Sequence, residues 1–379
     1  MRDLEKFKEL GINTVRVYTV DNSANHDECM NALAEAGIYL ALDVNTPDYS
    51  INRDDPEPSY NDVYLQSVFA TIDIFAQYDN TLLFFSGNEI INDGPTSVTA
   101  PWIKAVTRDV RQYIRSRDYR SIPVGYSAAD VDENRREIAQ FMNCGSDDER
   151  SDFFAFNDYS WCDPSSFEKS GWDQKVETWS DYGIPLFLSE FGCIEADRKF
   201  GEVAALYSDK MSSVYSGGIA YEYTEEDNKY GLVEINGDEV EEKPDFKYLK
   251  EAFEGVADFS GDGDYSPESS KSECPAQKAP EWDVEGTALP AIPEPAKDYM
   301  KEGAGDGPGL EGSSQNAGTP SEGDAEQGSG ASDEGDGDSE GGSGSDSGAG
   351  TLVVPAWSAS PVVWMSMVVV SSLAGACLL

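Results

Sequence analysis

TLLFFSGNEIIND, residues 81–93, changes character in its middle. Leu82 to Ser86 is an apolar run of strand composition, and Gly87-Asn88-Glu89 turns it abruptly polar. A parallel barrel presents its reactive groups where a buried strand runs out, at the C-terminal rim. PLFLSEFGC, residues 185–193, repeats the pattern and ends its run at Glu190, 101 residues after Glu89. The expectation is that the two glutamates face each other across one cleft.

Working outward, apolar strand segments fall at 12–18, 38–44, 82–86, 122–127, 153–159, 186–189 and 218–223. Amphipathic helical segments fall at 2–10, 26–36, 60–78, 100–117, 133–142, 172–182, 200–215 and 246–253. The strands are continuous apolar runs alternating with helices, which describes a parallel sheet covered on both faces. A doubly wound open sheet is the other solution, but no GxGxxG phosphate turn follows any strand. The fold expected is therefore an α/β (β/α)8 TIM barrel over residues 1–256. Seven strands are present, so the first would lie upstream of Met1 and be missing here.

After the barrel, the composition changes twice. Residues 257–350 hold 22 acidic against 4 basic side chains, and residues 351–379 hold no charge. We expect 257–300 to wrap the barrel. Residues 301–350, rich in Gly, Ser, Asp and Glu, read as a disordered linker, because such a segment buries too little surface to offset its ordering entropy. The apolar tail Val362–Leu379 follows a spacer and the small residues Ser347, Gly348, Ala349 and Gly350. That layout is a glycosylphosphatidylinositol attachment signal, with the lipid joined near those four residues and 351–379 removed. Such a signal acts on secreted chains, whereas MRDLEKFKELG lacks the apolar core of a signal peptide. The strand count and the tail thus both point to a longer start.

A net charge of −45 excludes nucleic acid as a partner. His26 is the only histidine and reads as a capping or surface residue; no CxxC or Cys/His cluster exists. Zinc sites, Ser-His-Asp triads and Cys-His dyads are thereby disfavoured, and no metal or cofactor is expected. Cys162 and Cys193 follow adjacent strands at one rim and can bridge; Cys144 can reach Cys274; Cys29 remains. Chemistry must rest on carboxylates, and glycosidic cleavage is what two of them do: one protonates the leaving oxygen, the other attacks the anomeric carbon. Asn88 can hydrogen-bond a sugar hydroxyl. Tyr18, Asp43, Tyr159 and Tyr221 lie at or near strand ends, where aromatic faces suit sugar rings.

SGNEIIND and LFLSEFGC, with INTVRVYTVD, NHDECM, INRDDP, YRSIPVGYSAADVDENR, FFAFNDYSWC and NKYGLV, resemble the fungal β-1,3-glucanosyltransferases of glycoside hydrolase family 72 over residues 2–255. The resemblance implies Glu89 as acid/base, Glu190 as nucleophile, and Tyr18, Asp43, Asn88, Tyr159 and Tyr221 as sugar contacts. It implies internal cleavage of a β-1,3-glucan donor by double displacement, transfer to a glucan acceptor, and a lipid anchor at the plasma membrane or cell wall. No obligate protein partner is implied. The family pattern also places a cysteine before Arg2 as partner of Cys29, and accords with Cys162–Cys193 and Cys144–Cys274. The acidic linker stands where some members carry a cysteine-rich module. Two other readings remain open at this point: an endo-β-1,3-glucanase using the same glutamates with water as acceptor, and a non-catalytic wall protein whose barrel lacks a strand.

Overall fold

The computed structural model describes residues 2–46, 49–256, 270–311, 316–325 and 365–370. Strands β1 (Thr14–Val17), β2 (Tyr39–Asp43), β3 (Thr81–Asn88), β4 (Val124–Ala129), β5 (Phe153–Asn157), β6 (Leu186–Phe191) and β7 (Tyr215–Ala220) run parallel, each beside its sequence neighbour. Helices α1 (Leu4–Leu10), α2 (Asp27–Glu35), α3 (Pro56–Ser59), α4 (Asp62–Phe75), α5 (Ala100–Ser116), α6 (Arg135–Met142), α7 (Trp172–Trp179) and α8 (Glu202–Leu206) alternate with them. A hairpin, β8 (Val233–Asn236) and β9 (Glu239–Glu242), precedes α9 (Pro244–Glu254), and α10 (Ala296–Glu302) follows.

The eighth place in the ring is filled by β10 (Met365–Val370), which pairs in parallel with both β1 and β7. The reading of the sequence had put that strand upstream of Met1 and had not assigned 365–370 to the barrel. A barrel with a vacant place exposes two unpaired edges, and any apolar strand-forming segment relieves them. Residues 326–364 and 371–379, which include the expected lipid-attachment stretch at 347–350, lie outside the described residues.

Inside the ring, Ala41, Leu83, Phe85, Phe153, Ala155, Phe187 and Ile219 form a separate apolar cluster. Outside it, the helices bury one face each. On α4 these are Tyr64, Leu65, Val68, Phe69, Ile72 and Phe75, spaced three and four apart, and Asn61 caps the helix by accepting from Tyr64 N at 2.9 Å. Two expectations fail locally. The helix expected at 200–215 shortens to Glu202–Leu206, and β7 begins already at Tyr215. The β8–β9 hairpin was not anticipated, although Asn236-Gly237 marks it and Gly237 has φ +64°. His26 takes the N-cap position of α2, as expected, but it is not a surface residue: it is buried, its Nε2 lies 2.8 Å from Asp21 O, and its ring packs on Phe75.

The segment after the barrel does pack on it. The Cys144–Cys274 disulfide ties it down, Trp282 is fully buried against Phe141, and Arg108 donates to Pro290 O at 3.0 Å. Packing continues past residue 300, where a linker had been expected. Ala304 N donates to Tyr113 Oη, Asp62 N to Thr319 O and Ala325 N to Leu289 O. A polar, glycine-rich composition forbids a core of its own, but backbone groups can still be satisfied on a neighbouring surface.

Candidate active site

The expected site residues converge at the C-terminal mouth of the barrel. Side chains on a strand alternate, so Leu83 and Phe85 share the inner face and Asn88 should point away from it. It does not, because β3 carries one extra residue against β4 between Phe85 and Asn88. A bulge of this kind re-aims the residues beyond it. Gly87 sits in the bulge, where an added Cβ would lie 2.7 Å from Ile90 Cδ1. Glu89 follows with φ +47°, a left-handed conformation that non-glycine residues adopt at a cost of about 1–3 kcal/mol. On β6 the same device recurs: Phe156 pairs Leu188 and the next residue, Asn157, pairs Glu190. Phe187 faces inward with the apolar cluster, and the extra residue brings Glu190 to the mouth. β4 and β5 separate the two glutamate-bearing strands.

Arg16 stands at the centre. Its guanidinium is fully buried, stacked 4.2 Å from the Phe85 ring and 4.3 Å from Tyr18. It grips Asp43 with two hydrogen bonds, at 2.9 and 3.1 Å, and reaches Asn88 Oδ1 at 3.0 Å and Glu190 Oε1 at 3.4 Å. Glu190 also accepts from the Tyr18 hydroxyl, and at 2.7 Å from the Tyr159 hydroxyl. Burial, with the neighbouring Glu190 charge, pushes both phenols well above their usual range, so they stay protonated donors. Glu89 is held differently. Asn157 Nδ2 donates to its Oε1 at 2.8 Å and to Asn88 Oδ1 at 3.1 Å, and Ser127 and Ser189 donate to Asn157 Oδ1.

Burial raises Glu190 to about 7; Arg16 opposes that, the Glu89 charge adds to it, and the two tyrosine hydroxyls lower it. Three donors that favour a charged Glu190 thus compete with desolvation and a like charge.

Of the expected sugar contacts, Tyr18, Asp43, Asn88 and Tyr159 belong to this network. Tyr221 is placed beside it, its ring centroid 6.5 Å from Tyr18 and 6.3 Å from Tyr159. Tyr221 begins a cis peptide bond to Glu222, and its hydroxyl accepts from Asn228 Nδ2 at 3.0 Å. Reasoning from sequence missed Arg16, Asn157 and Tyr230, the last 5.1 Å from Tyr221. Arg16 had a signal, since a charge inside the apolar strand INTVRVY is an anomaly in a buried element. Both expected disulfides are present, Cys144–Cys274 and Cys162–Cys193, and Cys29 is buried on α2. Among the described residues, Cys162, Cys193 and Glu195 have metal-ligand spacing, but both sulfurs are already joined to each other.

Comparison with known proteins matches residues 1–257 to a family described as glucanosyltransferase. The chain is 69% identical over 311 residues to 1,3-beta-glucanosyltransferase gel1 of Aspergillus fumigatus, covering 82% of this chain and 69% of that one. It is 53% identical to 1,3-beta-glucanosyltransferase GAS5 of Saccharomyces cerevisiae, covering 80% and 63%. A solved structure of a Saccharomyces cerevisiae Gas2p mutant with laminaritetraose and laminaripentaose superposes with a TM-score of 0.73 at 39% identity, covering 78% of this chain and 66% of that one.

Proposed function

The chain belongs to the glucanosyltransferase family, and on that premise we propose that it cleaves a β-1,3-glucan internally and passes the new reducing end to another glucan chain. The observation that carries the reading is the unequal holding of the two carboxylates. Glu190 is surrounded by cationic and hydroxyl donors, as a nucleophile that must be an anion requires. Glu89 is held by a single amide, which tolerates either protonation state. Glu89 gives its proton to the glycosidic oxygen as Glu190 attacks the anomeric carbon, and a covalent glycosyl-enzyme forms with inversion. Glu89, now a carboxylate, removes the proton from an acceptor hydroxyl, which attacks the same carbon; the second inversion gives net retention. Tyr18 and Tyr159 orient Glu190, Asn88 meets a hydroxyl beside the reacting carbon, and Tyr221 offers its ring to a sugar face.

The acceptor distinguishes a transferase from an endo-β-1,3-glucanase, because water and a sugar hydroxyl attack the same intermediate. Incubation with reduced laminari-oligosaccharides tests this. Products longer than the donor support transfer, shorter products alone support hydrolysis, and no product refutes both. The same proposal places the protein at the cell surface or wall, held by a lipid joined near Ser347–Gly350. Among the described residues, no helix is long and apolar enough to cross a membrane. Lipid attachment there and β10 compete for one segment, because removing the tail takes Met365–Val370 out of its place between β7 and β1. Mass spectrometry of the mature C-terminus decides which state exists.

A further inference from the structure

Asn157 and Tyr159 are one residue apart, just where β5 ends, and they serve different glutamates. Asn157 holds Glu89 and Tyr159 holds Glu190. Asp158, between them, points the other way and is 2% exposed. Its Oδ2 accepts from Lys175 Nζ at 2.6 Å and from Trp172 Nε1 at 3.0 Å. Its Oδ1 accepts from the Ser160 amide at 2.9 Å and the Ser160 hydroxyl at 2.6 Å, and its own amide donates to Glu190 O at 2.9 Å. Lys175 and Trp172 both come from α7, and both are buried. Lys175 Nζ also bonds Asp130 Oδ2 at 2.6 Å, and Arg135 completes the balance on Asp130 at 2.7 Å. One ammonium on the outer helix thus clamps the ends of β4 and β5 from behind, at the floor of a cleft of about 930 Å³ lined also by Asn157 and Tyr159.

We infer that Lys175 is a positioning residue for the reaction. By pinning Asp158 it fixes the rotation of the chain at 157–159, and so sets the Glu89 and Glu190 partners relative to each other. Without Lys175, Asp158 keeps Trp172 and Ser160 but faces Asp130 with no cation between the two buried carboxylates, and their repulsion displaces the turn and the two flanking side chains with it. Misplacement of reacting groups by about 1 Å costs on the order of 10²-fold in rate. The inference rests on the proposed reaction, whose failure would show separately as an inactive wild-type protein.

The test compares wild type, Lys175→Met and Lys175→Arg with reduced laminari-oligosaccharides, each checked for folding by circular dichroism and melting. The expected result for Lys175→Met is a kcat lower by on the order of 10²-fold, with KM within about twofold and the acid limb of the pH profile displaced as the Tyr159–Glu190 bond loosens. Lys175→Arg should recover most of the loss. A purely structural ion pair would lower the melting temperature and leave kcat and pH profile unchanged in the folded protein, and that result overturns the inference. If Lys175→Met does not fold, Lys175→Met with Asp158→Asn removes both charges, leaving Asp130 with Arg135. The double variant should fold and remain slow, and wild-type kcat in it likewise overturns the inference.

Discussion

Replacing Glu190 by glutamine removes a charge while keeping the shape, and the structure assigns that charge a cost. Glu190 is 6% exposed, and its carboxyl is raised from its ordinary 4.5 to about 7, chiefly by burial. A carboxyl whose folded-state pKa exceeds its unfolded value holds its proton more tightly when folded. Folding is therefore penalised as pH rises above 4.5, and the penalty is complete above 7. A gap of about 2.5 pH units, at about 1.4 kcal/mol for each, corresponds to about 3 kcal/mol. Wild type carries this at pH 8 and not at pH 4, whereas Glu190→Gln carries it at neither. For a domain of this size that is roughly 6–12 °C in Tm. Thermal melts of both proteins at pH 4, 6 and 8 measure it. Any fixed loss from altered hydrogen bonding cancels when the pH 4 difference is subtracted from the pH 8 difference. The reasoning is refuted if the two differences are equal, or if the glutamine protein becomes relatively less stable as pH rises.

Other outcomes follow from the same geometry. Glu89→Gln should lower elongation by about 10²–10⁴-fold, the usual worth of a general acid, when products are followed by chromatography. Arg16→Met should lose about 3–5 kcal/mol in a denaturant titration, because it leaves the buried Asp43 without its cation. Cys144→Ser with Cys274→Ser should cost about 2–4 kcal/mol, and limited proteolysis should then cut first within residues 270–325.

The seven barrel strands were legible because buried parallel strands are written as short apolar runs, and Glu89 and Glu190 because each breaks such a run. The bulges that bring Asn88 and Glu190 to the mouth were not legible. They arise from register against a neighbouring strand, and neither LFFSGNE nor LFLSEF shows its partner's spacing. Asn157 escaped for a related reason: it looks like an ordinary strand residue until the ring closes and supplies Asn88 and Glu89 from β3. The helix expected at 200–215 failed where local periodicity persisted through Ser208-Asp209-Lys210, a turn that precedes an early β7. The boundary at 300 failed because composition reports whether a segment can build a core, and says nothing of whether it can lie on one.

That last point reaches the definition of the catalytic unit. The family match ends at 257, yet Trp282 is a plug for the socket beside Phe141, and Pro290 O and the Ala304 amide occupy Arg108 and Tyr113. A fragment cut at Val256 would uncover an aromatic socket and strand buried polar groups on α5, so it should be sticky and poorly soluble while keeping every catalytic side chain. The outer belt is therefore as much a part of the fold as the helices it covers, and it runs through Ala325, about seventy residues beyond the point where the chemistry has ended.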